Sequence, residues 1–153
     1  MPSAAALARA LVALVFAEVR PDEHALLATL ESIRAALVGD AASIVHVETL
    51  VASGPPASAC PTVGLVPIAA KLALAFARGG GTELALLAAY ERAEDVLASL
   101  YVGEGFGERA ARIEASIEIT RAVARYGRPH VEDDERPSAP CQLTLAVDES
   151  RAA

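Results

Sequence analysis

Residues 22–38 read Asp22-Glu23-His24-Ala25-Leu26-Leu27-Ala28-Thr29-Leu30-Glu31-Ser32-Ile33-Arg34-Ala35-Ala36-Leu37-Val38, and the spacing of their apolar side chains decides the fold class. Leu26, Leu30, Ile33 and Leu37 recur at intervals of four, three and four, which is one continuous stripe on a helix, while Glu23, Glu31 and Arg34 fall on other faces. The stretch predicts an amphipathic helix that buries one side. Arg20-Pro21 stops the helix before it, and Pro21 sits where a helix start tolerates a missing N–H. Asp22 and Glu23 then place negative charge at the positive end of its dipole.

On the N-terminal side, residues 3–19 form an Ala, Leu and Val helix with Ser3 as its N-cap. The run Ala10 to Ala17 resembles the apolar part of a signal segment, but no basic region precedes it, and Arg9, Glu18 and Arg20 flank it as they would a buried helix. On the C-terminal side, Gly39-Asp40 pairs a helix stop with a helix cap. Residues 41–53 are rich in Ile, Val and Thr, a strand-like composition. The cap before them, the shared helical face of Ile44, Val47 and Val51, and the abrupt end at Gly54-Pro55-Pro56 assign them to a helix.

After the loop at 54–62, a fourth helix starts near Pro67 and runs to Arg78 with so little polar surface that it belongs at the centre; its Ile68, Leu72, Ala75 and Phe76 share a side. Gly79-Gly80-Gly81 leads to Thr82, the cap of a fifth helix, whose Leu86, Leu87, Tyr90, Leu97, Leu100 and Tyr101 are expected in the core opposite Glu91, Glu94 and Asp95. A sixth helix, Glu108 to Tyr126, places Ile113, Ile117, Thr120 and Ala124 on one face, with Ile119, Val123 and Tyr126 beside them. The expected fold is an all-α compact bundle of about six helices over residues 1–127. Residues 128–153 form a polar, acidic, partly disordered tail with several prolines, the run Glu132-Asp133-Asp134-Glu135 and a possible short strand at 142–147.

Composition narrows the function. With 54% hydrophobic but 4% aromatic residues and no Trp, the core is aliphatic. The formal net charge is −7 and Lys71 is the only lysine, so the chain lacks the cationic footprint that nucleic acid requires. No apolar run approaches the ~20 residues of a membrane span. Cys60 and Cys141 show no zinc spacing and are taken as free thiols, a disulfide between them being the alternative for an exported protein. His24, His46 and His130 are scattered and make no Glu-x-x-His pair, so no metal or other cofactor is implied.

The remaining polar patterns have structural explanations. Glu91 with Asp95 and Glu114 with Glu118 read as solvated helix edges, the second pair offset by Arg112 and Arg121. Gly103-x-Gly105-x-Gly107 follows a helix, not a strand, and so reads as a helix-to-helix turn instead of a phosphate loop. Arg121, Arg125 and Arg128 make a basic stripe that complements the helix dipole and is a candidate contact for an acidic partner. Leu143, Leu145 and Val147 alternate with polar residues and are candidates for pairing with another protein.

Ile68-Ala69-Ala70-Lys71-Leu72-Ala73, followed by Glu94-Asp95-Val96-Leu97-Ala98-Ser99-Leu100-Tyr101, resembles the last helices of small poxvirus Bcl-2-like proteins over about a third of the chain. That resemblance implies an intracellular helical inhibitor of host signalling and supplies no site residues. The residues themselves point to a cytoplasmic, non-enzymatic helical interaction module, either self-associating or an accessory or regulatory subunit. The alternative is a ligand-binding or enzymatic bundle with an inter-helix pocket using Tyr90, Tyr101 or inward Arg and Glu groups. Membrane-surface binding through the first helix is disfavoured because that helix has no basic face.

Overall fold

The structure, a computed structural model of the chain, describes residues 2–129. The acidic run, the possible strand at 142–147, His130 and Cys141 lie outside the described residues. Six α-helices follow in order, α1 (Ala4–Glu18), α2 (His24–Leu37), α3 (Ala41–Ser53), α4 (Val66–Ala77), α5 (Glu83–Gly103) and α6 (Glu108–Tyr126), with a 3-10 turn at Val63–Leu65 leading into α4.

The helix starts follow the sequence chemistry. Ser3 Oγ accepts from Ala6 N at 3.1 Å, Asp40 Oδ2 from Ser43 N at 3.0 Å and Thr82 Oγ1 from Ala85 N at 3.0 Å, each satisfying a backbone donor that the first helical turn leaves open. The β-branched segment after Asp40 is a helix, closed by Gly54 at φ +86°, a conformation that glycine adopts without strain. One start differs from expectation. Pro21 lies in a turn outside α2, and Glu23 occupies the N-cap position without a side-chain cap. Its carboxylate instead accepts a hydrogen bond from Ser58 Oγ, tying the 54–62 loop to the head of α2.

The α2 stripe lies in the core as its spacing requires: Leu26, Leu30, Ile33 and Leu37 are all buried. They meet Leu7, Leu11 and Val15 of α1 and the apolar residues of α4 in one cluster. Fully burying a side chain of this size stabilises the fold by about 1.5–3 kcal/mol. α4 is central, touching α1, α2, α3 and α5, and Ala69, Ala70 and Ala73 are fully buried along it. Alanines there let neighbouring backbones approach closely, which is how a core so poor in aromatics is filled. Phe76 departs from expectation and stands 45% exposed at the end of α4.

α5 departs further. Only Ala93, Leu97 and Ala98 of it are buried, while Leu84 and Leu87 near its start are exposed. The triple-glycine connection, with Gly79 at φ +67° and Gly81 at φ +103°, lets α5 diverge from α4 instead of lying along it. Its C-terminal half is held by α6, which runs antiparallel beside it.

Candidate interaction surface

α6 decides what the molecule presents to its surroundings. Its buried side is Ala111, Ala115, Ile119 and Ala122, spaced four, four and three, which seats the helix against α1 and α5. The face that carries Ile113, Ile117, Thr120 and Ala124 points outward: Ile113 is 54% exposed, Ile117 37%, and Thr120 and Ala124 are exposed as well. The orientation has a packing cause. A helix wedged between two others settles on its smallest side, because three alanines permit an approach that two isoleucines would block. The signal was present as Ala at three of the four positions 111, 115, 119 and 122. Alanine is apolar but common on exposed faces too, so the isoleucines outweighed it.

Three side-chain links fix the antiparallel register of α5 and α6. Tyr90 Oη lies 3.4 Å from Thr120 Oγ1, Tyr101 Oη donates to Glu118 Oε1 at 2.6 Å, and Arg112 pairs with Asp95 and, at 3.6 Å, with Glu94. Arg112 thus reaches across to α5 instead of offsetting Glu114 and Glu118 along its own helix. Leu87, one turn before Tyr90 on α5, is exposed.

Tyr101 is half-buried and packs edge-on to Phe106 with ring centroids 5.1 Å apart. Donation to the Glu118 carboxylate, aided by burial and by the charges of Glu118, Glu114 and Glu104, pushes its phenol well above the ordinary value of 10.0. Because the folded state raises this pKa, the protonated phenol's contribution is fully present below about pH 10 and is lost as pH climbs through the raised value. Tyr101→Phe is expected to cost about 1 kcal/mol in urea unfolding at pH 7, below the ~1.5–3 kcal/mol of a bond to a charged group because the site is partly wet. The gap between wild type and variant should close in the strongly alkaline range.

Arg121 and Arg125, singled out in the sequence, line a shallow groove of about 260 Å³ between α1 and α6, together with Leu14, Tyr101, Glu114, Ile117, Glu118, Ala122 and Tyr126. The Arg125 guanidinium also lies over the Tyr126 ring at 5.3 Å. Arg128 does not join them, since α6 ends at Tyr126 and Arg128 is exposed beyond it. Leu143, Leu145 and Val147 fall outside the described residues. The divergence of α5 opens a second cleft of about 490 Å³, lined by Ile68, Leu72, Ala75, Leu86 and Ala89, with Lys71, Glu83 and Arg92 among its polar residues.

Groups that could carry chemistry stay apart. His24 and His46 are both exposed, and His46 Nδ1 is hydrogen-bonded with Ser32 Oγ at 2.6 Å. Cys60 is a buried free thiol, 3.5 Å from Thr62 Oγ1. Glu91 and Arg121 are exposed and Glu114 half-buried, so they do not converge in a closed hollow. Gly103 closes α5, and Gly105 at φ +107° completes the turn into α6, a helix-to-helix turn as read from sequence. Among the described residues no group of three or more His, Cys, Asp or Glu is placed to hold a metal ion, and no helix is long and apolar enough to cross a membrane.

No protein-family model matches the chain, and no curated protein or solved structure matches it either. Among the described residues the outward stripe of α6 sets two isoleucines, Ile113 and Ile117, in solvent.

Proposed function

We propose that the chain is a cytoplasmic, non-enzymatic helical interaction module that works through protein contacts on the outer face of α6. The observation that supports this reading is the exposure of Ile113 and Ile117 at the centre of a helix face that none of the described helices covers. Scattered surface leucines are ordinary, but aligned apolar residues on one helix side are the usual mark of a protein contact. Leu84 and Leu87 of α5 are exposed as well.

A photo-reactive residue at position 117, irradiated in the native host cell, tests this. The expected result is a covalent adduct of defined mass, absent when the same residue replaces exposed Glu31 on α2. Equal yields at positions 117 and 31 would sink the reading.

A second reading, ligand binding between helices, is favoured by the α4–α5 cleft, whose volume lies within the ~300–1,000 Å³ of small-molecule sites. Its aliphatic lining beside Lys71 and Arg92 suits a short amphiphilic anion. Titration calorimetry with octanoate tests it, heat that is lost in Lys71→Glu supporting it and no heat at millimolar concentration ending it.

A further inference from the structure

Ala110, Ile113, Ile117, Thr120 and Ala124 are spaced three, four, three and four, and all five are exposed. That is the spacing of a coiled-coil seam, whose apolar positions mesh with those of a second helix. Among the described residues no helix packs along it: α1 and α5 flank the opposite, alanine side of α6, and Tyr90 of α5 reaches only Thr120, 3.4 Å from its Oγ1. The residues that border the seam identify the missing helix.

Glu114 and Arg121 lie on the same edge of the seam, seven residues apart, and both line the groove that Ile117 also lines. If a second α6 lies antiparallel, with Ile113 level with Ala124 and Ile117 level with Thr120 of the other copy, the edge residues meet their counterparts. Glu114 then faces Arg121 of the second copy, and two-fold symmetry repeats the pair. The layers match in size as well, because each isoleucine meets a smaller residue and the two dipoles oppose. A parallel arrangement would instead stack Ile on Ile and leave Ala on Ala, filling the seam unevenly. It would also bring Glu114 against Arg109 instead of Arg121.

We infer that this face of α6 is a self-association surface, on which a second copy of the chain packs antiparallel with reciprocal Glu114–Arg121 ion pairs. The inference rests on the reading of this stripe as a protein contact and adds the identity of the partner.

The test is sedimentation equilibrium of the full chain, with circular dichroism and thermal melts confirming that each variant folds. Wild type is expected at twice the 15.8 kDa chain mass in the micromolar range. Ile117→Asp, a change at an exposed position, should give a folded monomer. Glu114→Arg sets like charges face to face and should weaken association about tenfold, an estimate from the coupling of exposed ion pairs. Glu114→Arg combined with Arg121→Glu should restore it. Restoration singles out the antiparallel register, because in a parallel pair the double variant still sets Arg109 against an arginine.

A wild-type monomer at about 100 µM, a concentration at which even a weak specific dimer with a micromolar Kd would form, overturns the proposal. Failure of the double variant to recover does so too. A monomer that nonetheless yields a position-117 adduct with a different protein would refute the second copy while leaving the contact surface standing. A monomer without an adduct would remove both.

Discussion

Leu30→Ala is expected to lower the free energy of unfolding by about 3 kcal/mol, the middle of the range for deleting a buried leucine. Leu30 is fully buried at the centre of the α2 stripe, in one cluster with α1, α3 and α4 side chains. Truncation forfeits its transfer free energy and leaves a cavity between helices that close only partly, since each is held from several sides. Against a total of roughly 5–15 kcal/mol for an ordinary domain, that loss is large. Urea unfolding should show a lower midpoint with an unchanged slope. A loss below about 0.5 kcal/mol, the scale of surface changes, would mean that the stripe does not face the core.

Ala73→Leu should be nearly as damaging, although it raises the apolar content of an already apolar helix. Ala73 is fully buried on α4, where α1, α2, α3 and α5 converge. Adding side-chain volume to a filled site forces neighbours off their rotamers or displaces a helix, at about 1–3 kcal/mol, and a helix gripped from four sides belongs at the upper end. Intrinsic helix propensity differs by only a few tenths of a kcal/mol between the two residues, so the loss isolates packing. A melting temperature lower by about 10 °C is expected, on the usual scaling for chains near this size. Ala52→Leu, the same change at an exposed position of α3, should move it little. Equal effects at 73 and 52 would contradict a core sealed by alanines.

What was legible in the sequence and what was not follow one physical distinction. Caps and stops are local chemistry, so Ser3, Asp40, Gly54 and Thr82 marked helix boundaries correctly, and the cap at Asp40 outweighed the strand-like composition that follows it. The α2 stripe was legible because its large residues sit on one side and charges on the others. The central place of α4 was legible from its missing polar face.

On α6 the criterion did not decide. Two sides competed, and bulk pointed to Ile113 and Ile117 while packing chose Ala111, Ala115, Ile119 and Ala122. Which side a helix buries depends on how near its neighbours come, and that is a property of tertiary geometry. The same holds for the start of α5, where Leu87 matches a core pattern but the glycine connection carries it away from the core. Of the residues singled out for a site, Arg121 and Arg125 do share a groove. The more telling surface lies on a face of α6 whose burial the residue pattern did not decide.

The rotation of α6 about its own axis decides which isoleucines meet solvent. The chain has six isoleucines, at 33, 44, 68, 113, 117 and 119, so their δ1 methyl signals can all be followed by NMR while a soluble paramagnetic chelate is added to a sample dilute enough to be monomeric. Strong attenuation of Ile113 and Ile117, with Ile119 as protected as the fully buried Ile33, is the predicted result. Attenuation of Ile119 with Ile113 and Ile117 shielded would contradict it.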